Sequence, residues 1–137
     1  MHYLKPLKIV QKKALRIVCG KNYNEHTQPL FKEENILPLT QLIEFNMIKF
    51  IADYKLGRLP NAFSGTWIEN NERPGQRYNL RNAHELNIPF VRCKTFFKHP
   101  LFSFPRIWNE LPNYLKNNLE NRKYFLDDLK DHLLNEI

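Results

Sequence analysis

Between Pro38 and Gly57, the apolar side chains Leu39, Leu42, Ile43, Met47, Phe50, Ile51 and Tyr54 recur at helical spacing. A helix puts such residues on one face because 3.6 residues complete a turn. Pro38 suits the start of that helix, and Gly57 can adopt the left-handed conformation that ends one. The same period returns towards both ends of the chain. Leu4, Leu7, Val10, Ala14, Ile17 and Val18 form a stripe interleaved with Lys8, Lys12, Lys13 and Arg16 and closed by Gly20. Phe125, Leu126, Leu129, Leu133 and Leu134 form another, with Asn121 as a candidate cap. Thr27 is placed to cap a short helix through Pro29, Leu30 and Phe31.

In the middle the period changes. Ser64 to Gln76 holds Gly65, Asn70, Asn71, Pro74 and Gly75, the composition of an exposed linker loop. Tyr78 and Leu80, then Leu86, Ile88, Phe90 and Val91, suggest short extended pieces, with Pro89 confining any strand to an edge. The aromatic-dense run from Phe96 to Phe104 also reads as extended, with Ser103 capping a short helix from Pro105 to Leu111. The expected fold is therefore mainly α: a small helical domain with a loop and a few short strands in the middle. The expected organisation is a basic helical subdomain over residues 1–63, a linker loop over 64–76, and short extended segments followed by helices over 77–137. Together they form a single compact domain, and the 137 residues suffice for a modest core.

Charge is segregated along this chain, whose net charge is +7. Residues 1–22 carry six bases and no acid, and residues 73–106 carry seven bases against Glu85 alone. Contiguous positive surface is what phosphate binding exploits, because each neutralised phosphate releases condensed counterions. The second block also interleaves bases with rings, as in Arg77-Tyr78, Arg92 to Lys94 and Phe96-Phe97-Lys98. Rings that stack on bases, beside cations that hold phosphates, are the combination used on single-stranded and A-form nucleic acid. Most of these phenylalanines are expected to serve the core, because so small a domain needs large side chains there.

Other chemistries find little footing. Phe125-Leu126-Asp127-Asp128 has the form of a polymerase's metal-binding turn, but it sits inside a helical pattern, where its aspartates read as a solvated face. His84, Cys93 and His99 share a segment without the paired spacing of a zinc site. Four glycines leave no phosphate-cradling loop or nucleophile elbow. The expectation is a protein that is not an enzyme, with no catalytic residue, metal or cofactor. The opening residues Met1 to Pro6 lack the apolar core of a leader, and no apolar run would span a bilayer. With only Cys19 and Cys93, this suggests a soluble intracellular protein, nuclear or cytoplasmic, without membrane contact.

Short motifs follow in order along the chain: Leu7 to Val18, His26 to Phe31, Ile36 to Leu39, Tyr78-Asn79-Leu80-Arg81, Ile88 to Thr95, and Phe104-Pro105-Arg106-Ile107-Trp108-Asn109-Glu110-Leu111-Pro112. In this order the chain resembles the C-terminal segment of reverse transcriptases from animal non-LTR retrotransposons of the Jockey-like kind. That segment lies downstream of the polymerase palm. The resemblance implies a non-catalytic, thumb-adjacent region that contacts RNA or an RNA–DNA hybrid and packs on the remainder of the polymerase, palm and thumb. Together with the charge pattern it points to Lys5, Lys8, Lys12, Lys13, Arg16, Arg77, Tyr78, Arg81, Arg92 and Lys94 as nucleic-acid-binding residues. The alternative is an intramolecular packing module, or an inactive element remnant, that binds no nucleic acid of its own. Exposure of the Leu4, Leu7, Val10, Ala14 stripe would favour that alternative. The Trp108-Asn109 motif reads as structural, with Trp108 anchoring the core.

Overall fold

The computed structural model describes residues 2–78 and 80–137. Met1, where the leader reading begins, and Asn79 of the Tyr78–Arg81 motif lie outside the described residues. Six α-helices are present among them: α1 (Lys5–Val18), α2 (Gln28–Glu33), α3 (Leu39–Lys55), α4 (Pro100–Glu110), α5 (Asn113–Asn117) and α6 (Arg122–Asn135). The chain forms two compact units, one of residues 1–46 with 123–137 and one of residues 47–122.

Helix ends follow the turn chemistry of the sequence. Gly20 and Gly57 have φ of 61° and 68°. In each case the next residue's N–H closes back on the last turn, Lys21 to the Arg16 carbonyl at 2.8 Å and Arg58 to the Asp53 carbonyl at 2.9 Å. These are Schellman stops, which need a left-handed residue and so favour glycine. Asn35, at φ 52°, ends α2 in the same way, with the Ile36 N–H bonded to the Phe31 carbonyl at 2.9 Å. Thr27 stands at the N-cap of α2, as anticipated, but its side chain makes no capping bond. Its φ and ψ of −90° and −15° are already helical, and capping geometry needs an extended residue.

In the first unit, Leu15, Leu30 and Phe31 form a buried cluster that Cys19 and Ile137 partly cover. Leu37 is buried, as are Phe125, Leu129, Leu133 and Leu134 along one stripe of α6. The Phe125–Asp128 tetrapeptide is thus helical, with its ring buried and Asp127 exposed. Gln11 ties α1 to the start of α3: its Nε2 donates to the Leu37 carbonyl at 3.0 Å and its Oε1 accepts the Leu39 N–H at 2.8 Å.

The second unit is organised by rings. Phe50 on α3 meets Phe63, Trp67 and Phe104 edge-on at centroid distances of 5.4, 5.9 and 5.6 Å. Trp67 stacks on Phe104, and the Tyr54 hydroxyl bridges the Trp67 backbone, donating to its carbonyl at 2.7 Å and accepting its N–H at 3.2 Å. Residues 64–76 are irregular apart from a 3₁₀ turn over Asn70–Glu72, boxed at its start by Glu69 and Glu72, and Trp67 and Asn70 within them are buried.

Two local expectations are corrected. No strand occurs among the described residues; the extended pieces around Leu86 reduce to one antiparallel bridge between Glu69 and Leu86. The bridging loop satisfies that backbone piecemeal, with the Asn70, Asn71 and Asn87 N–H groups bonded to the Glu85, Ala83 and Ile68 carbonyls. A side chain completes the pairing: Asn109 Oδ1 accepts the Leu86 N–H at 2.9 Å and Nδ2 donates to the Leu86 carbonyl at 2.8 Å. This amide does what a neighbouring strand would do, so no second strand is needed.

The second correction concerns Phe96 to Phe104, which is helical rather than extended. A 3₁₀ turn covers Lys94–Lys98, and α4 starts at Pro100, five residues before Pro105. Pro100 presets the first turn, and His99 caps it by accepting the Leu101 N–H on Nδ1 at 3.2 Å. The Ser103 hydroxyl instead donates back to the His99 carbonyl at 3.1 Å. Trp108 is buried, as its motif suggested.

An ion pair in the second unit had no signature in the sequence. Arg122 grips Asp53 with two parallel bonds, Nε to Oδ1 at 2.6 Å and Nη2 to Oδ2 at 3.0 Å. The Arg122 hydrogen bond holds the Asp53 carboxyl below its usual range, against the opposing effect of burial. A carboxyl so depressed stabilises the fold at pH values above its unfolded pKa, and loses that contribution as pH falls through the folded value. Arg122→Ala is therefore expected to cost about 2 kcal/mol at neutral pH. In urea melts the deficit should shrink as pH drops below about 4. A deficit that is the same at pH 7 and pH 3 would assign the loss to packing of the arginine stem.

Candidate nucleic-acid interface

The first five predicted contacts lie on α1. At about 100° per residue, Lys5, Lys12 and Arg16 share a sector ~40° wide, with Lys13 ~60° beyond one edge and Lys8 ~40° beyond the other. Lys5, Lys12 and Lys13 are exposed, whereas Lys8 and Arg16 are half-buried. Arg16 is partly engaged: its Nε donates to the Glu25 carbonyl at 2.9 Å, and its guanidinium lies 5.8 Å from the Tyr23 ring. Lys13 approaches the same exposed ring at 6.0 Å. Two cations around one open ring form a small platform of the kind on which a base can stack.

The covered side of α1 differs from what its apolar stripe suggests. Leu15 is buried, and Leu4, Gln11 and Cys19 are half-buried. Leu7, Val10 and Ile17 remain 55%, 60% and 79% exposed. The stripe is broader than the contact surface available within the first unit, and the Gln11 clamp turns only its Leu4–Leu15 edge inward. The rest of the stripe faces out, roughly opposite the Lys5–Lys12–Arg16 sector.

The other five predicted contacts belong to the second unit. Arg77, Tyr78 and Arg81 lie on an irregular segment, all exposed, with Tyr78 80% accessible. Arg92 and Lys94 are exposed on either side of Cys93. Hydrogen bonds from the Thr95 side chain and backbone pull the Cys93 thiol below its ordinary pKa. Phe90 is exposed and Phe97 partly so, whereas Phe104 belongs to the ring cluster. Phe104 thus fulfils the core role expected of these phenylalanines, and Phe97 keeps a ring edge open. His84 faces Glu69 at 3.5 Å, and His99 is engaged as a helix cap and stacked on Phe96.

Two concavities went unnoticed in the sequence. A groove of ≈ 480 Å³ in the second unit is lined by Tyr54, Lys55, Phe63, Trp67, Glu69 and Glu72 among others. Its one lysine is paired with Glu69 at 2.8 Å, so it offers little to an anion. A smaller recess of ≈ 190 Å³ in the first unit is lined by Lys8, Lys12 and the start of α3. Helical periodicity cannot reveal it, because its walls come from four separate stretches of chain, Ile137 among them. Among the described residues no helix is long and apolar enough to cross a membrane. Comparison of the chain with protein-family models, curated proteins and solved structures finds no match.

Proposed function

We propose that the chain is the non-catalytic C-terminal segment of a non-LTR retrotransposon reverse transcriptase and that it grips RNA or an RNA–DNA hybrid. The supporting observation is that Lys5, Lys12, Lys13, Arg77, Arg81, Arg92 and Lys94 stand exposed, with no carboxylate paired to any of them among the described residues. Cations without a carboxylate partner remain free to neutralise phosphates, and Tyr78 and Tyr23 add exposed rings. Such contacts read backbone and shape rather than base identity, so little sequence preference is expected. The test is titration of the chain against single-stranded RNA, an RNA–DNA hybrid and duplex DNA at two salt concentrations. Micromolar or tighter binding that weakens steeply with salt, with RNA or hybrid preferred, is the expected result. No binding to any of the three at low salt would overturn the reading.

The open apolar face of α1 favours a second role, as a packing module. Exposed Leu7, Val10, Ile17 and Val18 on one helix make a contiguous patch of the kind that marks a protein contact. On this reading the face docks on the remainder of the polymerase, its palm and thumb. The two roles are compatible because the basic and apolar sectors of α1 point in different directions. If the packing role stands alone, the isolated chain fails the titration above.

A further inference from the structure

We infer that the recess walled by α1, the start of α2 and the start of α3 binds a phosphate group. Its volume of ≈ 190 Å³ is well above the ~10–15 Å³ that a single water needs by the same kind of measure, which leaves room for a phosphate and part of what carries it. Lys8 and Lys12, one helical turn apart on α1, line one side; no Asp or Glu side chain lines it, and Ile137 completes the lining.

The second wall is the N-terminus of α3, a helix of 17 residues with no acid in its first turn. Gln11 takes the Leu39 N–H. The next two N–H groups, those of Thr40 and Gln41, have no acceptor among the described residues, and both residues line the recess. An uncompensated helix start with free N–H groups attracts an anion.

The third wall supplies an independent sign of a missing partner. Thr27 is only 6% exposed, yet its hydroxyl makes no capping bond and has no other hydrogen-bond partner among the described residues. Among these residues the only fully enclosed side-chain polar atom without a partner is Trp67 Nε1. The Thr27 hydroxyl is therefore not fully enclosed, and Thr27 lines the recess. A nearly buried hydroxyl without a protein partner is costly unless water or a bound group satisfies it. Two lysines, two backbone N–H groups and a hydroxyl-bearing residue thus line one recess. A tetrahedral phosphate offers oxygens in three dimensions, whereas a carboxylate offers two in one plane.

The inference does not depend on the RNA-binding reading, because the phosphate could be carried by a nucleic-acid backbone, a nucleic-acid end or a small molecule. The test titrates the full chain with inorganic phosphate while following backbone amide resonances. Saturable shifts centred on Thr27, Thr40 and Gln41 are expected. Lys8→Gln with Lys12→Gln should weaken binding about tenfold, and Thr27→Val several-fold, each with unchanged circular dichroism. Thr27→Ser keeps the hydroxyl and should bind as the parent does, which guards against a misfolded valine variant. Competition by RNA without terminal phosphates would assign the site to the backbone, and competition by 5′-phosphorylated RNA alone would assign it to an end. Saturable phosphate binding that neither RNA displaces would assign it to a small phosphorylated ligand. Shifts that do not saturate, or that spread equally over Lys5 and Lys13, would overturn the inference, as would phosphate affinity unaffected by removal of Lys8, Lys12 and the Thr27 hydroxyl together.

Discussion

Replacing Lys8, Lys12, Lys13 and Arg16 together by glutamine is expected to lower the affinity for single-stranded RNA by about two orders of magnitude near 0.1 M salt. Each phosphate contact on a single strand contributes roughly 0.7 to the slope of log affinity against log salt, so losing four should flatten that slope by up to ~3. The loss should fall short of the full amount, because Arg16 already donates to the Glu25 carbonyl and lies against Tyr23. Salt dependence is the more telling readout, since a misfolded variant would lose affinity at every salt concentration. The arginines and lysine of the second unit are untouched and should sustain the residual binding. If the quadruple variant binds with the parent's affinity and slope, α1 is not the phosphate-contacting helix. In that case the RNA-binding reading would rest on Arg77, Arg81, Arg92 and Lys94 alone.

Asn109→Ala should destabilise the chain by about 2–3 kcal/mol. The side-chain amide is the partner of both polar backbone groups of Leu86, at 2.9 and 2.8 Å, and the Leu86 side chain is fully buried. Truncation leaves a donor and an acceptor in a partly buried setting with nothing of matching geometry, which costs more than two ordinary hydrogen bonds are worth. Asn109→Asp separates the two bonds. Its carboxylate can still accept the Leu86 N–H but sets a second oxygen against the Leu86 carbonyl. The aspartate variant should therefore be destabilised at neutral pH and recover partly under acid, where a protonated carboxyl can donate again. Chemical denaturation at two pH values reads both effects. If Asn109→Ala is as stable as the parent, the loop 68–72 holds Leu86 without help.

The Trp108-Asn109 motif shows how far local reading extends. That Trp108 is buried follows from its size and apolar neighbours. That Asn109 reaches Leu86, 23 residues earlier in the chain, does not, because an asparagine at the end of a helix has many possible backbone partners nearby. Arg122 and Asp53 pose the same problem over a longer span, since charges of both signs are common on helix faces and sequence carries no pairing rule for them. The aromatic run ending at Phe104 departs from its expected extended form for a different reason. Its density of β-favouring rings is outweighed by Pro100, whose preset φ opens a helix once His99 supplies the cap.

By itself the sequence determined where the principal helices run and where they stop. Apolar spacing, proline at helix starts and glycine at left-handed stops are local devices that act within one or two turns. It also determined that charge is segregated into two blocks, and that Trp108 belongs to the core. Only the tertiary structure decided which side of α1 is covered. A helical pattern states which residues share a face, but rotation about the helix axis is set by what lies against it. Here Gln11, tied to Leu37 and Leu39, turns the Leu4–Leu15 edge inward and leaves Leu7, Val10 and Ile17 outside. The same clamp brings Lys8 and Lys12 to the start of α3, so the recess they line with Thr27 exists only once distant segments have met.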